Sequence, residues 1–474
     1  MKVEQIYTGC LAEAAYYIES NGEAAIIDPL RETKPYIDKA GRNAAKIKYI
    51  LETHFHADFV SGHIDLARKT GATIVFGPTA APGYAAHVAK DDEELKLGNV
   101  TIKVLHTPGH TMESTTYLLK DEEGNDYCIF TGDTLFIGDV GRPDLVQKVK
   151  ADITPQILGG HLFDSLRNKI MPLGDDVIVY PGHGAGSACG KNMSRETSDT
   201  LGHQKANNYA LRANMTKEEF IKEVTDGLVE PPQYFPFNVL MNLKGGLDSI
   251  DNIIEKGTHA LNAKEFLTAW ESTEALVLDT RSKDAFAAEH IPGSIFIGVD
   301  DTFAPWVGTL ITDLKTPILF IADEGKEEEV VIRLSRVGYD NAIGYLKGGI
   351  PAWKEAGFET DRLHEITPKD FDILYEADNT HTNLVDARRK SEYDSEHLVG
   401  AINFPLDFIN QNMSQLDKEK KYFIHCAGGY RSVIMCSILK ARGFGHLVNI
   451  RGGFKALSQT GLKKTRYVKP TTLL

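Results

Sequence analysis

The 474-residue sequence predicts an α/β multidomain protein, and three observations support this fold class. The first 240 or so residues alternate apolar, β-branched runs with helix-like patterns. The rest of the chain repeats one α/β pattern twice, at an offset of 107 residues. Length alone predicts roughly two to four domains, at roughly 100–200 residues per domain. We therefore expect an N-terminal domain over residues 1–245 and two smaller domains over residues 255–362 and 363–474.

Composition and charge exclude several classes of function. The chain has 42% hydrophobic and 25% charged residues, with a formal net charge of -14. Such a chain lacks the basic surface that nucleic acid or an anionic membrane requires in a main partner. We find no signal-peptide pattern and no run near the roughly 20 apolar residues that span a bilayer. The five cysteines are sparse and odd in number, unlike a disulfide scaffold, so we expect a cytoplasmic protein with reduced thiols.

Six apolar runs in the N-terminal region predict strands that end in polar loops. They cover residues 24–30, 47–54, 72–77, 100–110, 127–136 and 176–183. Several of these loops contain His or Asp, and chemistry at strand ends is usual in layered α/β folds. The segment EPPQYFPFN, residues 230–238, contains three prolines and predicts an extended linker that ends this region.

The internal repeat defines the second half of the chain. Residues 276–297 align with residues 384–404, so that a D-x-R motif and an H-x-x-G motif occur in both copies. Each copy predicts strand, helix, strand, loop and helix, and a Gly-Gly pair opens the last helix. The sequence therefore predicts two copies of a small α/β module of about 100 residues.

Potential metal ligands stand at the ends of several predicted strands. His54 and His56 follow one strand, His110 ends a second in HTPGH, and Asp133 ends a third in TGDTLF. Two imidazoles and a carboxylate suit Fe(II), Zn(II) or Mn(II), and an open facial set suits iron that must bind oxygen. A single histidine is usually a satisfied core or surface residue. Ligand types at four strand ends, in separate motifs, favour a metal site instead.

The order H-x-H-x-D, HTPGHT, GD and PGH resembles the metallo-β-lactamase superfamily, over residues 1 to about 240. That resemblance implies an αββα sandwich. In the two-metal hydrolases of the superfamily, such as the glyoxalase II type, the first motif is H-x-H-x-D-H. Its Asp and last His hold a second zinc with the PGH histidine, here His183. This sequence has Phe59 in place of the last His, so a second site of Asp58, His183 and a bridging Asp133 would be weak.

A mononuclear site resembles the persulfide dioxygenase branch of the superfamily. That resemblance implies one Fe(II) per chain, bound by His54, His110 and Asp133, with zinc as the alternative. His56 would support the site without binding the metal, although the sequence leaves open whether it is a ligand. Asp58 would accept a hydrogen bond that orients a ligand ring.

Two further residues are candidates for substrate contact. The segment GDVGRPD, residues 138–144, also resembles the persulfide dioxygenase branch. Its Arg142 would hold a substrate carboxylate or a developing sulfite, or else form a structural ion pair. Cys189 follows the His183 loop in the Gly-rich stretch GAGSACGKN, from which it would face the iron pocket and handle sulfur.

The second module has a candidate catalytic loop, FIHCAGGYRS. Small residues after Cys426 let backbone N–H groups point inward, and a helix starting near Arg431 adds its positive end, so that a thiolate or a sulfane sulfur is stabilised. The alternative is a buried structural cysteine. With the repeated motifs, the loop resembles a rhodanese-like domain, with Cys426 and Arg431 as catalytic residues. Four residues separate the two, against five in related phosphatases, which favours sulfur as cargo. The first module has Asp323 in place of the cysteine and is expected to be catalytically silent.

The complete chain is similar to fusions of a persulfide dioxygenase with a silent and an active rhodanese-like unit. The resemblance implies oxidation of a low-molecular-weight thiol persulfide with O2 to sulfite, then transfer of sulfane sulfur through Cys426 to give thiosulfate, for sulfide detoxification. It also implies a homo-oligomer, a dimer or a tetramer. Two alternatives are a zinc thiolester hydrolase with an attached sulfur carrier, and a relay protein whose N-terminal domain only binds persulfide.

Overall fold

The structure, a computed structural model, describes most of the chain in two compact units. The described residues are 1–145, 152–191, 193–300, 302–377 and 383–469. The two units are Met1–Ile250 with Ser335–Gly338, and Asp251–Leu334 with Tyr339–Leu474. Within the described ranges, no helix is both long enough and apolar enough to cross a membrane. The expected domain boundaries at residues 245, 255 and 362 stay predictions.

The first unit contains two six-stranded sheets. The first sheet has its strands in chain order: β1 Lys2–Thr8, β2 Glu13–Ser20, β3 Glu23–Ile27, β4 Lys46–Leu51, β5 Thr73–Phe76 and β6 His87–Val88. The second sheet consists of β7 Glu94–Leu97, β8 Val100–His106, β9 Thr115–Lys120, β10 Asp126–Gly132, β11 Ile178–Pro181 and β12 Asp199–Thr200. Strands β3 to β6 pair in parallel, as do β10 and β11, while the other neighbours are antiparallel.

Helices cover the outer faces of both sheets. They are α1 Lys34–Arg42, α2 His63–Thr70, α3 Pro155–Ser165, α4 Leu201–Asn207, α5 Lys217–Thr225 and α6 Phe235–Lys244. Alternate residues of β2 show why the strands read as continuously apolar. Tyr16 and Ile18 point into the core between the sheets, whereas Tyr17 packs with residues of α1 and α2. Because both faces of this strand are buried, both sets of alternating residues are apolar. The αββα sandwich is confirmed.

The predicted linker at residues 230–238 is wrong over its second half. Helix α6 begins at Phe235, and Pro236 lies in its first turn, where an N–H group has no intrahelical partner to lose. Val239 and Leu243 of this helix pack against the core of the first sheet. The prolines therefore start a helix that belongs to the first unit.

The second unit contains two five-stranded parallel sheets of identical topology. The first has β13 Ala260–Leu261, β14 Leu276–Asp279, β15 Ile295–Phe296, β16 Ile318–Ile321 and β17 Ala342–Leu346, in the order β13-β17-β16-β14-β15. The second has β18 His364–Ile366, β19 Asn383–Asp386, β20 Ile402–Asn403, β21 Tyr422–His425 and β22 Leu447–Ile450, in the order β18-β22-β21-β19-β20. The internal repeat is thus a repeat of the fold.

Eleven further helices complete the described chain. They are α7 Ile250–Gly257, α8 Ala263–Thr273, α9 Lys283–Ala288, α10 Phe303–Leu310, α11 Glu327–Ser335, α12 Gly349–Glu355, α13 Pro368–Ala377, α14 Lys390–Ser395, α15 Ile409–Asn412, α16 Tyr430–Ala441 and α17 Gly453–Leu457. As expected, the last helix of each module begins at the second glycine of a Gly-Gly pair.

The repeated D-x-R motif is part of the scaffold. In the first module, the Arg281 guanidinium donates hydrogen bonds to the Asp279 carboxylate and to the Glu289 carbonyl. Arg388 makes the same set of bonds 107 residues further on. Each pair joins the end of a strand to the following helix, so this motif reports the shared fold rather than the chemistry.

Candidate functional site

Three side chains converge at the strand ends of the first unit. The donor atoms of His54, His110 and Asp133 all lie within 4.8 Å of one another, and the three residues are buried. Nε2 of His110 lies 3.3 Å from Oδ2 of Asp133, and Nε2 of His54 lies 4.0 Å from it. Among the described residues, neither carboxylate oxygen of Asp133 nor Nε2 of His110 has a hydrogen-bond partner. Buried polar groups are normally satisfied, so these residues fit a bound cation.

A close backbone approach brings this cluster together. Gly132 ends β10 with φ +48°, and a Cβ atom there would lie 2.6 Å from Cβ of Thr53. Only glycine allows this approach in an unstrained left-handed conformation. The loop after β4, which carries His54, therefore lies directly against the loop that carries Asp133.

Hydrogen bonds fix the histidine rings with Nε2 free. Nδ1 of His110 lies 2.8 Å from the Arg142 carbonyl oxygen, to which it must donate. Nδ1 of His54 lies 3.0 Å from Oγ1 of Thr53, whose own hydroxyl donates to Asp28 at 2.8 Å. Burial, followed by the neighbouring histidines, lowers the pKa of His54 well below its ordinary value. Both rings therefore offer a neutral Nε2, the form that binds a metal.

His56 belongs to a different cluster. Its Nε2 atom lies 3.0 Å from Oδ1 of Asp28 and 3.6 Å from Oε2 of Glu52, and its ring stacks on Phe59 with centroids 4.2 Å apart. Although burial alone would lower its pKa, these carboxylates raise the pKa of His56 to about 9. A protonated His56 between two carboxylates forms an ion triad beside the candidate metal cluster.

A third cluster combines Asp58, His183 and Cys189, with donor atoms within 4.8 Å of one another. Nε2 of His183 lies 3.4 Å from Asp58 Oδ2 and 3.5 Å from Asp133 Oδ1. Cys189 is buried, and burial together with the charges of Asp133 and Asp58 raises its pKa well above the ordinary value. The sequence gave Asp58 and His183 only supporting roles and missed their meeting with the thiol. The Gly-rich stretch after the PGH motif was the available signal.

Arg142 forms an ion pair, the second of the two roles considered for it. Its guanidinium binds both carboxylate oxygens of Asp144, at 2.6 and 2.7 Å, and donates to the Ala188 carbonyl at 3.3 Å. Its backbone N–H donates to the Cys189 carbonyl at 2.9 Å. The buried Arg142 thus holds the Cys189 loop against the cluster.

In the second unit, Cys426 lies at the end of β21 in a cradle of backbone groups. The thiol is buried, and the N–H of Gly429 donates to its Sγ atom at 3.1 Å. Helix α16 begins at Tyr430, the next residue. Inward-pointing N–H groups and the positive end of a helix both stabilise a thiolate.

The Gly-Gly pair before α17 fixes the loop from the other side. A Cβ atom at Gly453 would lie 2.3 Å from the Cys426 carbonyl oxygen, which accepts a hydrogen bond from Phe454 N at 2.6 Å. At the equivalent Gly349 of the first module, the nearest atom in the same test is Pro351 Cδ at 3.9 Å. The close approach is therefore specific to the module with the thiol.

Arg431 is bound to Glu392, a residue that the sequence reading missed. Its two terminal nitrogens lie 2.5 and 2.8 Å from the Glu392 carboxylate oxygens. Although burial alone would lower it, this pairing raises the pKa of Arg431. Glu392 also accepts a hydrogen bond from the Arg389 N–H in the capping box of α14. Arg431 therefore ties the start of α16 to α14.

The silent module supports the active loop. Tyr430 Oη donates to the Gly298 carbonyl at 3.0 Å, and Phe296 N donates to Ser437 Oγ at 2.9 Å. Asp323, which stands in place of the cysteine, is exposed. The first module thus contributes neighbours of α16 rather than a thiol.

Comparison with known families divides the chain in the same way. The family model of the Metallo-beta-lactamase superfamily matches residues 8–183. The model of the Rhodanese-like domain matches residues 262–356 and 367–460. The metal-type clusters and the cysteine loop therefore fall within separate families of domain.

Individual relatives differ in their activities. A crystal structure of a metallo-beta-lactamase from Staphylococcus aureus is 33% identical, with a TM-score of 0.64, and covers 73% of this chain and 98% of its own. The human mitochondrial persulfide dioxygenase ETHE1 is 28% identical over 48% of this chain and 81% of its own length. A probable hydroxyacylglutathione hydrolase of Schizosaccharomyces pombe is 31% identical over 38% of this chain and 66% of its own length. The chain spans between about half and two thirds of the length of such hydrolases.

Proposed function

This chain belongs to the Metallo-beta-lactamase superfamily and carries two rhodanese-like domains, and from that premise we propose that it is a persulfide dioxygenase coupled to a sulfurtransferase. The substrate would be a low-molecular-weight thiol persulfide. Oxidation with O2 and one water gives the free thiol, sulfite and two protons. Transfer of sulfane sulfur to sulfite then gives thiosulfate, and the purpose is sulfide detoxification.

The observation that carries this proposal is the cluster of His54, His110 and Asp133. Two imidazoles and one carboxylate, with donor atoms free of protein partners, are the ligand set of mononuclear non-haem Fe(II) sites. Phe59 offers no ligand atom for a hydrolase-type second metal. The proposed cofactor is therefore one Fe(II) per chain, with zinc as the alternative. The relation to the human persulfide dioxygenase supports iron.

The residues of the chain prepare this site for the first reaction. Bound Fe(II) supplies the redox chemistry that O2 needs to react with a persulfide. The Arg142 carbonyl and Thr53 Oγ1 orient His110 and His54, while the buried carboxylate of Asp133 neutralises part of the cation's charge. The nearly complete burial of all three ligands excludes water from competing hydrolysis.

The cysteine loop performs the second reaction. The thiolate of Cys426 attacks the outer sulfur of a persulfide, the S–S bond of the donor breaks, and the thiol leaves with its proton. Sulfite then attacks the outer sulfur on Cys426, releasing thiosulfate and returning the thiolate with its electron pair. The N–H of Gly429 stabilises the sulfur anion at both stages, and Arg431 positions the loop through Glu392.

Sharing one chain raises the effective concentration of sulfite at Cys426. We also propose a cytoplasmic location, which the five unpaired cysteines support, and a dimer or tetramer. Neither nucleic acid nor a membrane surface suits an acidic chain of net charge -14 as main partner.

The decisive experiment measures O2 uptake and sulfite formation with several low-molecular-weight persulfides, with iron quantified on the same sample. We expect one iron per chain and uptake that needs the persulfide. Activity that persists without O2, in protein carrying two zinc ions, contradicts the dioxygenase.

The second candidate is a zinc thiolester hydrolase with an attached sulfur carrier. Its support is the hydroxyacylglutathione hydrolase relationship together with the approach of Asp58 to His183. Anaerobic release of thiol from a glutathione thiolester separates the two functions, because only the hydrolase turns over without O2.

A further inference from the structure

We propose that Asp58, His183 and Cys189, with Oδ1 of Asp133, form a second cation site that binds a thiophilic divalent cation such as Zn²⁺. The ligand that Phe59 removes from the first motif is replaced by a thiol from a different loop. This inference does not depend on which reaction the first cluster catalyses.

The distances fit a four-coordinate cation. Metal–nitrogen and metal–oxygen bonds of about 2.1 Å in a tetrahedron place neighbouring ligand atoms about 3.4 Å apart. Nε2 of His183 lies 3.4 Å from Asp58 Oδ2 and 3.5 Å from Asp133 Oδ1. Sγ of Cys189 lies within 4.8 Å of the Asp58 and His183 ligand atoms. The set supplies one sulfur, one nitrogen and two oxygens.

The polar atoms of this cluster lack other partners. Oδ1 of Asp58 and Oδ1 of Asp133 are buried without a hydrogen bond among the described residues, and the two side chains are 5% and 2% exposed as residues. Two carboxylates this close repel each other unless a cation or proton lies between them. Asp133 directs Oδ2 towards His110 and Oδ1 towards His183, so one carboxylate serves both clusters.

The surrounding chain holds these ligands in a metal-binding form. Nδ1 of His183 lies 3.1 Å from the Ala12 carbonyl, to which it donates, so Nε2 is free. The Cys189 N–H donates to Ser187 Oγ at 3.1 Å, and its carbonyl accepts from Arg142 N at 2.9 Å. Both ends of the cysteine residue are thereby fixed.

The neighbouring cluster of Asp28, Glu52 and His56 does not have these properties. Both oxygens of Asp28 already accept hydrogen bonds from Thr53, and Glu52 accepts one from Ser61. A charged His56 completes the balance of charge there. The contrast singles out the cluster with the thiol.

Sulfur selects the kind of cation. A thiolate favours Zn²⁺, Co²⁺ or Cd²⁺ over Mg²⁺ or Ca²⁺. Binding converts the Cys189 thiol to a metal thiolate with release of one proton to solvent, and no redox step occurs.

The test titrates metal-free full-length protein with Co²⁺ and records sulfur-to-cobalt charge-transfer absorption in the near ultraviolet. We expect a second equivalent to bind with this absorption, which Cys189→Ser removes while the first equivalent still binds. The matched control is Cys10→Ser, which alters a thiol outside the cluster and keeps the absorption. Loss of outer partners costs about 10–100-fold in metal affinity, so loss of this ligand should weaken Co²⁺ binding at least as much.

Two outcomes overturn the inference: a single bound equivalent, or charge-transfer absorption that persists in Cys189→Ser. A second variant, His183→Gln, keeps the thiol and should weaken the second equivalent alone. Binding without change in His183→Gln also contradicts the site. Because these readouts are metal stoichiometry and absorption, they are separate from O2 uptake, whose absence would contradict only the proposed function.

Discussion

The imidazole of His56 stacks on the phenyl ring of Phe59, with centroids 4.2 Å apart and planes inclined by 30°. Phe59 is fully buried, and the carbonyls of both residues accept hydrogen bonds from Asn242 of α6. The phenyl ring thus has a positive role, since it packs on a histidine that is turned towards carboxylates.

Replacing Phe59 by Ala should destabilise the first unit by about 3–5 kcal/mol, because the buried ring leaves a cavity. All three tryptophans, Trp270, Trp306 and Trp353, lie in the second unit, so their fluorescence does not report this unit. Hydrogen exchange of the peptide covering residues 47–70 is the suitable measurement. Phe237→Ala, at a half-exposed phenylalanine of α6, should leave this exchange nearly unchanged. Equal effects of the two variants would contradict the packing role.

Asp133→Ala should abolish both iron binding and O2 uptake, because this carboxylate is the only anionic member of the cluster with His54 and His110. Iron analysis by mass spectrometry and an oxygen electrode measure the two effects. Asp126→Ala, at a partly exposed aspartate of the same strand β10, is the control and should retain both. Surviving uptake in Asp133→Ala would mean that the metal ligands are assigned wrongly.

Cys426→Ser should change the product from thiosulfate to sulfite while O2 uptake continues, because the hydroxyl cannot carry sulfane sulfur. Chromatography of the two sulfur anions after complete turnover measures the ratio. Cys10→Ser should give the wild-type ratio. The sulfurtransferase step fails if Cys426→Ser still makes thiosulfate at the wild-type rate.

Gly453→Ala should slow sulfur transfer by about 10²-fold, since a displaced reactive group of about 1 Å costs that much. A Cβ atom there would lie 2.3 Å from the Cys426 carbonyl oxygen. Gly349→Ala is a close control, because both glycines have φ +58° and both variants therefore bear the same backbone strain. Only the first variant adds the clash. A thiosulfate assay showing equal losses would assign the effect to strain instead.

The Glu392–Arg431 pair should contribute about 1 kcal/mol at neutral pH, as is usual for partly exposed pairs. Although burial alone would raise it, pairing with Arg431 lowers the pKa of Glu392 below 4.5. A lowered pKa stabilises the folded state above the ordinary value, and this contribution is lost as pH falls through the folded-state pKa.

The stability difference between wild type and Glu392→Gln should therefore be constant near neutral pH and shrink below about pH 4.5. Denaturant unfolding at a series of pH values measures the difference. Glu355→Gln, at an exposed residue of α12, should show no such pH dependence. A difference that grows on acidification would reverse the sign of the linkage.

The sequence was sufficient for the fold where periodicity and repetition were strong. Apolar runs located the strands that carry His54, His110 and Asp133, and the offset of 107 residues located two modules with one strand order. Strand ends were less certain, because the runs continue into apolar loops. The prolines near Phe235 predicted a linker, since sequence alone does not separate a helix start from an extended chain.

The sequence reading was insufficient where a contact joins distant loops. Glu392 meets Arg431 across 39 residues, and Cys189 meets Asp58 across 131 positions of chain. Neither pair has a motif spacing, because the fold rather than the local chain sets these distances. The orientation of His56 was likewise invisible, since it depends on the carboxylates of Asp28 and Glu52.

The backbone of Arg142 couples two parts of the first site mechanically. Its carbonyl orients His110, and its N–H holds the carbonyl of Cys189. A change in the loop of Cys189, such as one that admits a bulkier thiol, would therefore be transmitted to the ring of His110. Selectivity for the thiol and the tuning of the metal would then have to evolve together, as one adjustable part rather than two.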